Sequence, residues 1–209
     1  MSVLNKIAFF QHRRDEVPNQ RLAKELAQAR DKKGIQEIAK HLWSENPDVQ
    51  TDCLKVLYEI GYLDPKLIAG YADDFLKLLH SKNNRLVWGS MIALSTIAGI
   101  KAKELYPHHP EIMAAMDKGS VITQDNGVKT LALIASAGHS YQRSIFPYLL
   151  KHLATCRPKD VAQHSEKTLV AVTAANKGEF NKVLEKRLSH LAPSQVSRVR
   201  RVIKAAEAR

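Results

Sequence analysis

The densest cluster of side chains in this chain that could do chemistry is a run of cations near its C-terminal end. Ser197 to Lys204 reads SRVRRVIK, where Arg198, Arg200, Arg201 and Lys204 could neutralise phosphates and release counterions, giving salt-sensitive nucleic-acid binding. Lys182, Lys186 and Arg187 extend that patch from the preceding helical stretch, and Arg157 and Lys159 flank Pro158 at a helix start suited to an anion. The opposing reading is a terminal helix whose polar outer face closes a helical stack. No aromatic residues interleave with these arginines, as a surface for stacking single-stranded bases requires. His108-His109 lies between prolines without a Cys or a regularly spaced carboxylate, so no metal site is expected there. His164 reads as a helix-surface histidine. Asp73 and Asp74 are adjacent on a helix and do not face each other, so they form no carboxylate dyad. Cys53 and Cys156 each fall in or beside helical patterns as small hydrophobes, with neither a disulfide nor a metal role expected. Phosphate-cradling, dinucleotide-binding and nucleophile-elbow strings do not occur. The expectation is a non-enzyme with no catalytic residue, no metal and no cofactor.

The charge behind that patch is uneven. Through residue 100 there are 14 Lys and Arg against 12 Asp and Glu, and from 101 onward 18 against 9, so +9 of the net +11 lies in the second half. Hydrophobic residues make up 44% of the 209, whereas aromatics are only 6%, which leaves the packing to alanine and leucine. No run of eighteen apolar residues occurs, so no membrane span is expected. The first twenty residues place an apolar patch before Arg13-Arg14 and lack a cleavage signal, which points to the cytoplasm.

The elements that must position these residues repeat. VQTDCLKVLYEIG (49–61), LVWGSMIALSTIAG (86–99) and GVKTLALIASAG (127–138) share one apolar pattern, and KTLVAVTAANKG (167–178) follows KTLALIASAG (129–138). Leu54, Leu57 and Ile60 precede Met91, Leu94 and Ile97 by 37 residues, while matching Leu94 and Gly99 to Leu133 and Gly138 gives 39. Periods in the high thirties with no strand signal are those of HEAT and armadillo arrays. Leu54, Leu57, Met91, Leu94 and Leu133 are then the residues that pack one repeat on the next. Trp88 falls level with Thr51 and Gly127 and is expected to pack beside that glycine. Arg85 falls level with Asp48, either as an inter-repeat ion pair or as two solvated charges.

Punctuation sets the boundaries. Pro47 opens one helix and Gly61 closes it; Asp64-Pro65 opens the next, which runs to about His80; and Pro147 is accepted inside a helix with a kink. The predicted architecture is an all-α, single-domain α-solenoid over 1–209. Its hairpins lie near 19–44, 47–80, 84–119, 124–155 and 159–191, with a terminal helix over 194–208.

Five segments, FFQHRRDEVPNQRLAKELA, SENPDVQTDCLKVLYEIGY, SKNNRLVWGSMIALSTIA, GSVITQDNGVKTLALIAS and CRPKDVAQHSEKTLVAV, resemble a family of prokaryotic HEAT-like proteins of about this length. That resemblance spans essentially the whole chain. It implies a helical solenoid and leaves the function open. A more distant resemblance is to the DNA-alkylation-repair glycosylases, which are basic HEAT-like solenoids with a W-x-x-x-D pair. Here Trp43 is followed four residues on by Pro47, and Trp88 by Ile92, so the catalytic pair is missing. The function expected is a protein-binding or scaffolding module with a protein or peptide partner, no membrane partner, and no oligomeric state set by the sequence. The alternative is a nucleic-acid-binding solenoid using the basic C-terminal surface, and behind it stands a DNA-glycosylase-like enzyme.

Overall fold

The computed structural model describes residues 2–209, and no strand occurs among them. The helices are α1 (Val17–Ala29), α2 (Lys32–Lys40), α3 (Pro47–Leu63), α4 (Ala72–Leu78), α5 (Asn84–Ile97), α6 (Ala102–Leu105), α7 (His109–Lys118), α8 (Val121–Ser136), α9 (His139–Thr155), α10 (Val161–Thr168), α11 (Lys177–Arg187) and α12 (Pro193–Glu207). Their starts follow local chemistry. The Asn46 side chain accepts from the backbone N–H groups of Asp48 and Val49 to open α3, Asn83 accepts from Arg85 N to open α5, and Asp31 accepts from Gly34 N to open α2. Pro18, Pro47 and Pro193 sit in first turns, where a missing N–H costs nothing.

The chain gathers into two compact units, one of Met1–Lys101 with Pro110–Gly127 and one of Ala102–His109 with Val128–Arg209. In the first, α1, α3 and α5 lie side by side as one layer, with α2 behind α3 and α4 behind α5. In the second, α10 packs on α12 and α9 on α11. Tyr106, just beyond α6, is held in that second unit by Tyr141, its ring stacked at 4.0 Å, and its hydroxyl lies 2.9 Å from Ser144 Oγ.

Burial follows a constant spacing of 37. Leu54, Leu57 and Ile60 are followed by Met91, Leu94 and Ile97, then Val128, Leu131 and Ile134, then Ser165, Thr168 and Ala171, none more than 1% exposed. The spacing of 39 is therefore a misalignment, and Leu133, expected in the packing ladder, is only half-buried. The last rung is polar but satisfied, since Ser165 Oγ donates to Ala162 O (2.9 Å) and Thr168 Oγ1 to His164 O (2.8 Å). The fourth copy is helical over α10 and the 3-10 turn Leu169–Ala171, earlier than the 167–178 alignment placed it.

Two other boundaries move. The helix expected from Pro65 to His80 is broken into 3-10 turns at Pro65–Leu67 and Ala69–Tyr71 before α4, with Gly70 weakening helix propensity within the second. Gly61 does not stop α3, which runs on to Leu63. It permits close approach instead, because a Cβ there would lie 2.7 Å from Ile68 Cδ1 and hard against Thr96 Oγ1. Gly61→Val is therefore expected to lower the stability of this unit by about 1–3 kcal/mol through overpacking, read from urea denaturation.

Candidate binding groove

A groove of about 700 Å³ opens in the first unit, on one face of α3 and α5 and beneath the segment that precedes α1. From α3 it takes Asp48, Thr51, Asp52, Lys55 and Tyr58, whose spacings of three and four put them on a single helical face. From α5 it takes Arg85, Trp88 and Gly89, and from the rim Phe9, residues 12–16 and Asn19.

The rim is held by a polar clamp. Asp52 accepts from Phe9 N (2.7 Å) through one carboxylate oxygen and from Asn19 Nδ2 (2.7 Å) through the other, while Asn19 Oδ1 accepts from Ala8 N (2.9 Å). Asn19 is buried, and partial burial pushes the Asp52 carboxyl above its ordinary range against the pull of these donors. Replacing Asp52 by Ala leaves the Phe9 N–H and the Asn19 amide short of partners. It is expected to cost about 1–3 kcal/mol and to speed amide exchange at Phe9, which hydrogen-exchange NMR reads directly.

The floor carries a satisfied cation beside two aromatic rings. Lys55 Nζ lies 2.7 Å from both Glu16 Oε2 and Glu59 Oε1 and 4.8 Å from the centroid of the Tyr58 ring. Burial alone would lower the ammonium's pKa, but the two carboxylates outweigh it and hold Lys55 above the ordinary lysine range. Burial pushes the Tyr58 hydroxyl up to about 12. The Trp88 ring is half-buried, 6.3 Å from Tyr58 and tilted by 56°. Trp88 is thus a groove residue, and the space beside Gly127 is filled by Met116.

Charge in the groove is partly spent. Arg13 pairs with Asp15 at 2.8 Å and Lys55 with Glu16, while Arg14, Arg85 and Asp48 have no ion-pair partner among the described residues. Arg85 and Asp48 are two exposed charges rather than an inter-repeat bridge. The lining holds four cations, Arg13, Arg14, Lys55 and Arg85, and four carboxylates, Asp15, Glu16, Asp48 and Asp52, around the Tyr58 and Trp88 rings, with Arg14 and Arg85 as the cations left unpaired at its edge. That arrangement can hold a chain segment by side-chain burial and arginine–carboxylate pairing.

The cations singled out in the sequence lie in the second unit and divide into two sets. Arg157 Nε pairs with Asp160 Oδ2 at 2.6 Å, and Arg198 makes two bonds to Glu166, at 3.0 and 2.6 Å. Arg187 donates to the carbonyls of Leu153 (3.2 Å), Ala154 and Cys156 (2.6 Å), capping the end of α9 where cations are favoured. Lys159, Lys182, Lys186, Arg200, Arg201 and Lys204 are exposed. On α12 the buried stripe is Val199, Val202 and Ala206.

His164 is fully buried, not on the helix surface as expected. Its Nδ1 lies 2.9 Å from His152 Nε2, and Cys156 stands beside the pair. The sequence reading passed over His152, Tyr58 and the clamp at Asp52. Lys55, a lone cation inside an otherwise apolar run with Glu59 four residues on, was the available sign of the groove.

No protein-family model matches the sequence, and no curated protein matches it. Among solved structures the chain is similar to an engineered protein, with 18% identity and a TM-score of 0.69 over 100% of this chain and 98% of that one. It is similar to a designed armadillo repeat protein in complex with the peptide (KR)4, at 16% identity and a TM-score of 0.70, covering 90% of this chain and 86% of that one. It is also similar to part of the karyopherin Kap121p bound to the SUMO protease Ulp1p, at 16% identity and a TM-score of 0.64, covering 95% of this chain and 22% of the karyopherin. The fold is HEAT/armadillo-like, an all-α solenoid. No helix among the described residues is long and apolar enough to cross a membrane.

Proposed function

We propose that this chain is a non-catalytic repeat protein that binds or scaffolds a protein partner by holding an extended segment of it in the groove of the first unit. The observation that carries this reading is the Tyr58–Trp88 floor flanked by Arg14 and Arg85. Such a surface suits an acidic segment carrying an aromatic or large aliphatic side chain, which the two rings would cover. The designed armadillo relative was solved with a basic peptide; the arginines here select the opposite charge. Nothing in the groove pairs a nucleophile with a base, and its half-buried carboxylate, Asp52, is engaged in holding the rim.

Selection from a random peptide library on the intact protein tests this. Enriched sequences are expected to combine Asp or Glu with an aromatic anchor and to lose binding to Arg14→Glu/Arg85→Glu protein. Enrichment of basic peptides, or of peptides indifferent to those two substitutions, would contradict it.

The exposure of Lys182, Lys186, Arg200, Arg201 and Lys204 without ion-pair partners among the described residues favours a second reading, nucleic-acid binding by the second unit. Fluorescence anisotropy with labelled duplex and single-stranded DNA and RNA across a salt series separates the two. Steeply salt-dependent binding that is lost on neutralising Arg200, Arg201 and Lys204 would establish the second reading.

A further inference from the structure

We propose that His152, Cys156 and His164 form a binding site for Zn²⁺ in the second unit. His152 and Cys156 are four residues apart at the end of α9, so both face the same way, and His164 reaches them from α10. One ligand atom from each lies within 4.8 Å of the other two, and the facing nitrogens of the two imidazoles are 2.9 Å apart. In a tetrahedral Zn²⁺ site, Zn–N bonds of about 2.0–2.1 Å and Zn–S bonds of about 2.3 Å place the donors roughly 3.3–3.8 Å from one another. The three side chains need only small rotations to reach that arrangement. Two imidazoles and a thiolate are the donor set of a borderline-soft ion, and a water would complete the fourth position.

The competing arrangement is an N–H···N bond between the two histidines. It gives Cys156 no part, and the Sγ atom makes a long contact, 3.8 Å, to Leu153 O. A metal would use all three. On binding, the Cys156 S–H bond breaks, its electron pair forms the Zn–S bond, and the proton passes to solvent, so affinity rises with pH. The charges around the thiol are Arg187 from α11, with Arg157 and Asp160 from the turn before α10. Burial pushes the thiol up to about 11; Asp160 adds to that and the two arginines oppose it. The ion would therefore compete with a proton for the Cys156 sulfur at neutral pH. Bound Zn²⁺ would tie the end of α9 to α10. This inference is independent of the groove in the first unit.

Titration of the metal-free full chain with Co²⁺, followed by displacement with Zn²⁺, tests it. One equivalent of Co²⁺ is expected to give the thiolate charge-transfer band in the near ultraviolet and the intense visible bands of a tetrahedral ion, both erased by Zn²⁺. Cys156→Ser is expected to abolish the charge-transfer band, and both Cys156→Ser and His152→Ala to weaken Zn²⁺ binding by roughly 100-fold or more, since losing even an outer-shell partner typically costs 10–100-fold. His80→Ala, in the first unit, is expected to change nothing. Because His164 is fully buried, its substitution is avoided, and circular dichroism confirms that the two chosen variants fold. A Co²⁺ spectrum without the thiolate band, or equal Zn²⁺ affinity in Cys156→Ser, would overturn the proposal.

Discussion

Leu131→Ala is expected to destabilise the protein by about 2–5 kcal/mol, while Leu133→Ala, two residues along the same helix, costs about 1 kcal/mol. Leu131 is fully buried and falls at the same spacing of 37 in sequence that separates the buried Leu57 and Leu94; Leu133 is half-buried. Truncating the first leaves a cavity that close-packed neighbours only partly fill, whereas the second already meets solvent. Urea denaturation of the two variants reads the difference as separate midpoints at a common slope. Equal losses would mean that burial in α8 does not follow the 37-residue spacing.

This pair of leucines also shows what the sequence made legible. An apolar stripe that recurs on a helix is a direct consequence of packing, so the repeats, the all-α fold and the caps at Asn46 and Asn83 can be read from the chain. The exact register could not be read from glycines. Gly99 and Gly138, matched at 39, each lie two residues past a helix end, but α8 runs two residues beyond its last buried rung, Ile134, whereas α5 ends on its own, Ile97. Register was lost again at the fourth repeat, where the buried rung is Ser165, Thr168 and Ala171 while the more apolar Val170 is 41% exposed.

The candidate site was less legible, because it depends on pairings distant in sequence. Nothing local in Asp52 announces that it receives Phe9 N, 43 positions away, and Arg187 looks like part of a charge patch until three carbonyls of α9 are found around it. Spacing identifies residues that share a face. Which charges are already satisfied emerges only once the helices are packed.

Trp88→Ala is expected to lower affinity for a groove-bound peptide by about 2 kcal/mol or more, roughly 30-fold, while costing only about 1–2 kcal/mol of stability. The sequence expectation of a repeat-packing tryptophan implies a stability loss of about 3–5 kcal/mol instead. The structure separates these outcomes, since the Trp88 ring is half-buried and shares the groove with Tyr58 at 6.3 Å. Aromatic anchors of this kind contribute most where a partner excludes the remaining water, so the larger effect belongs to binding. Calorimetric affinity and a denaturation curve on the same variant provide both numbers.

The most direct test of the groove uses the second of the chain's two tryptophans as its own reporter. Trp43, 51% exposed and bonded to Asp74, is removed as Trp43→Phe, and the emission of Trp88 is followed during titration with an acidic, aromatic-bearing peptide selected on the intact protein. The expected result is a saturable blue shift as the ring is covered, lost when Arg14 and Arg85 are both replaced by Glu. Tight binding that leaves Trp88 emission unchanged, or that survives those replacements, would contradict the assignment of this groove as the partner site.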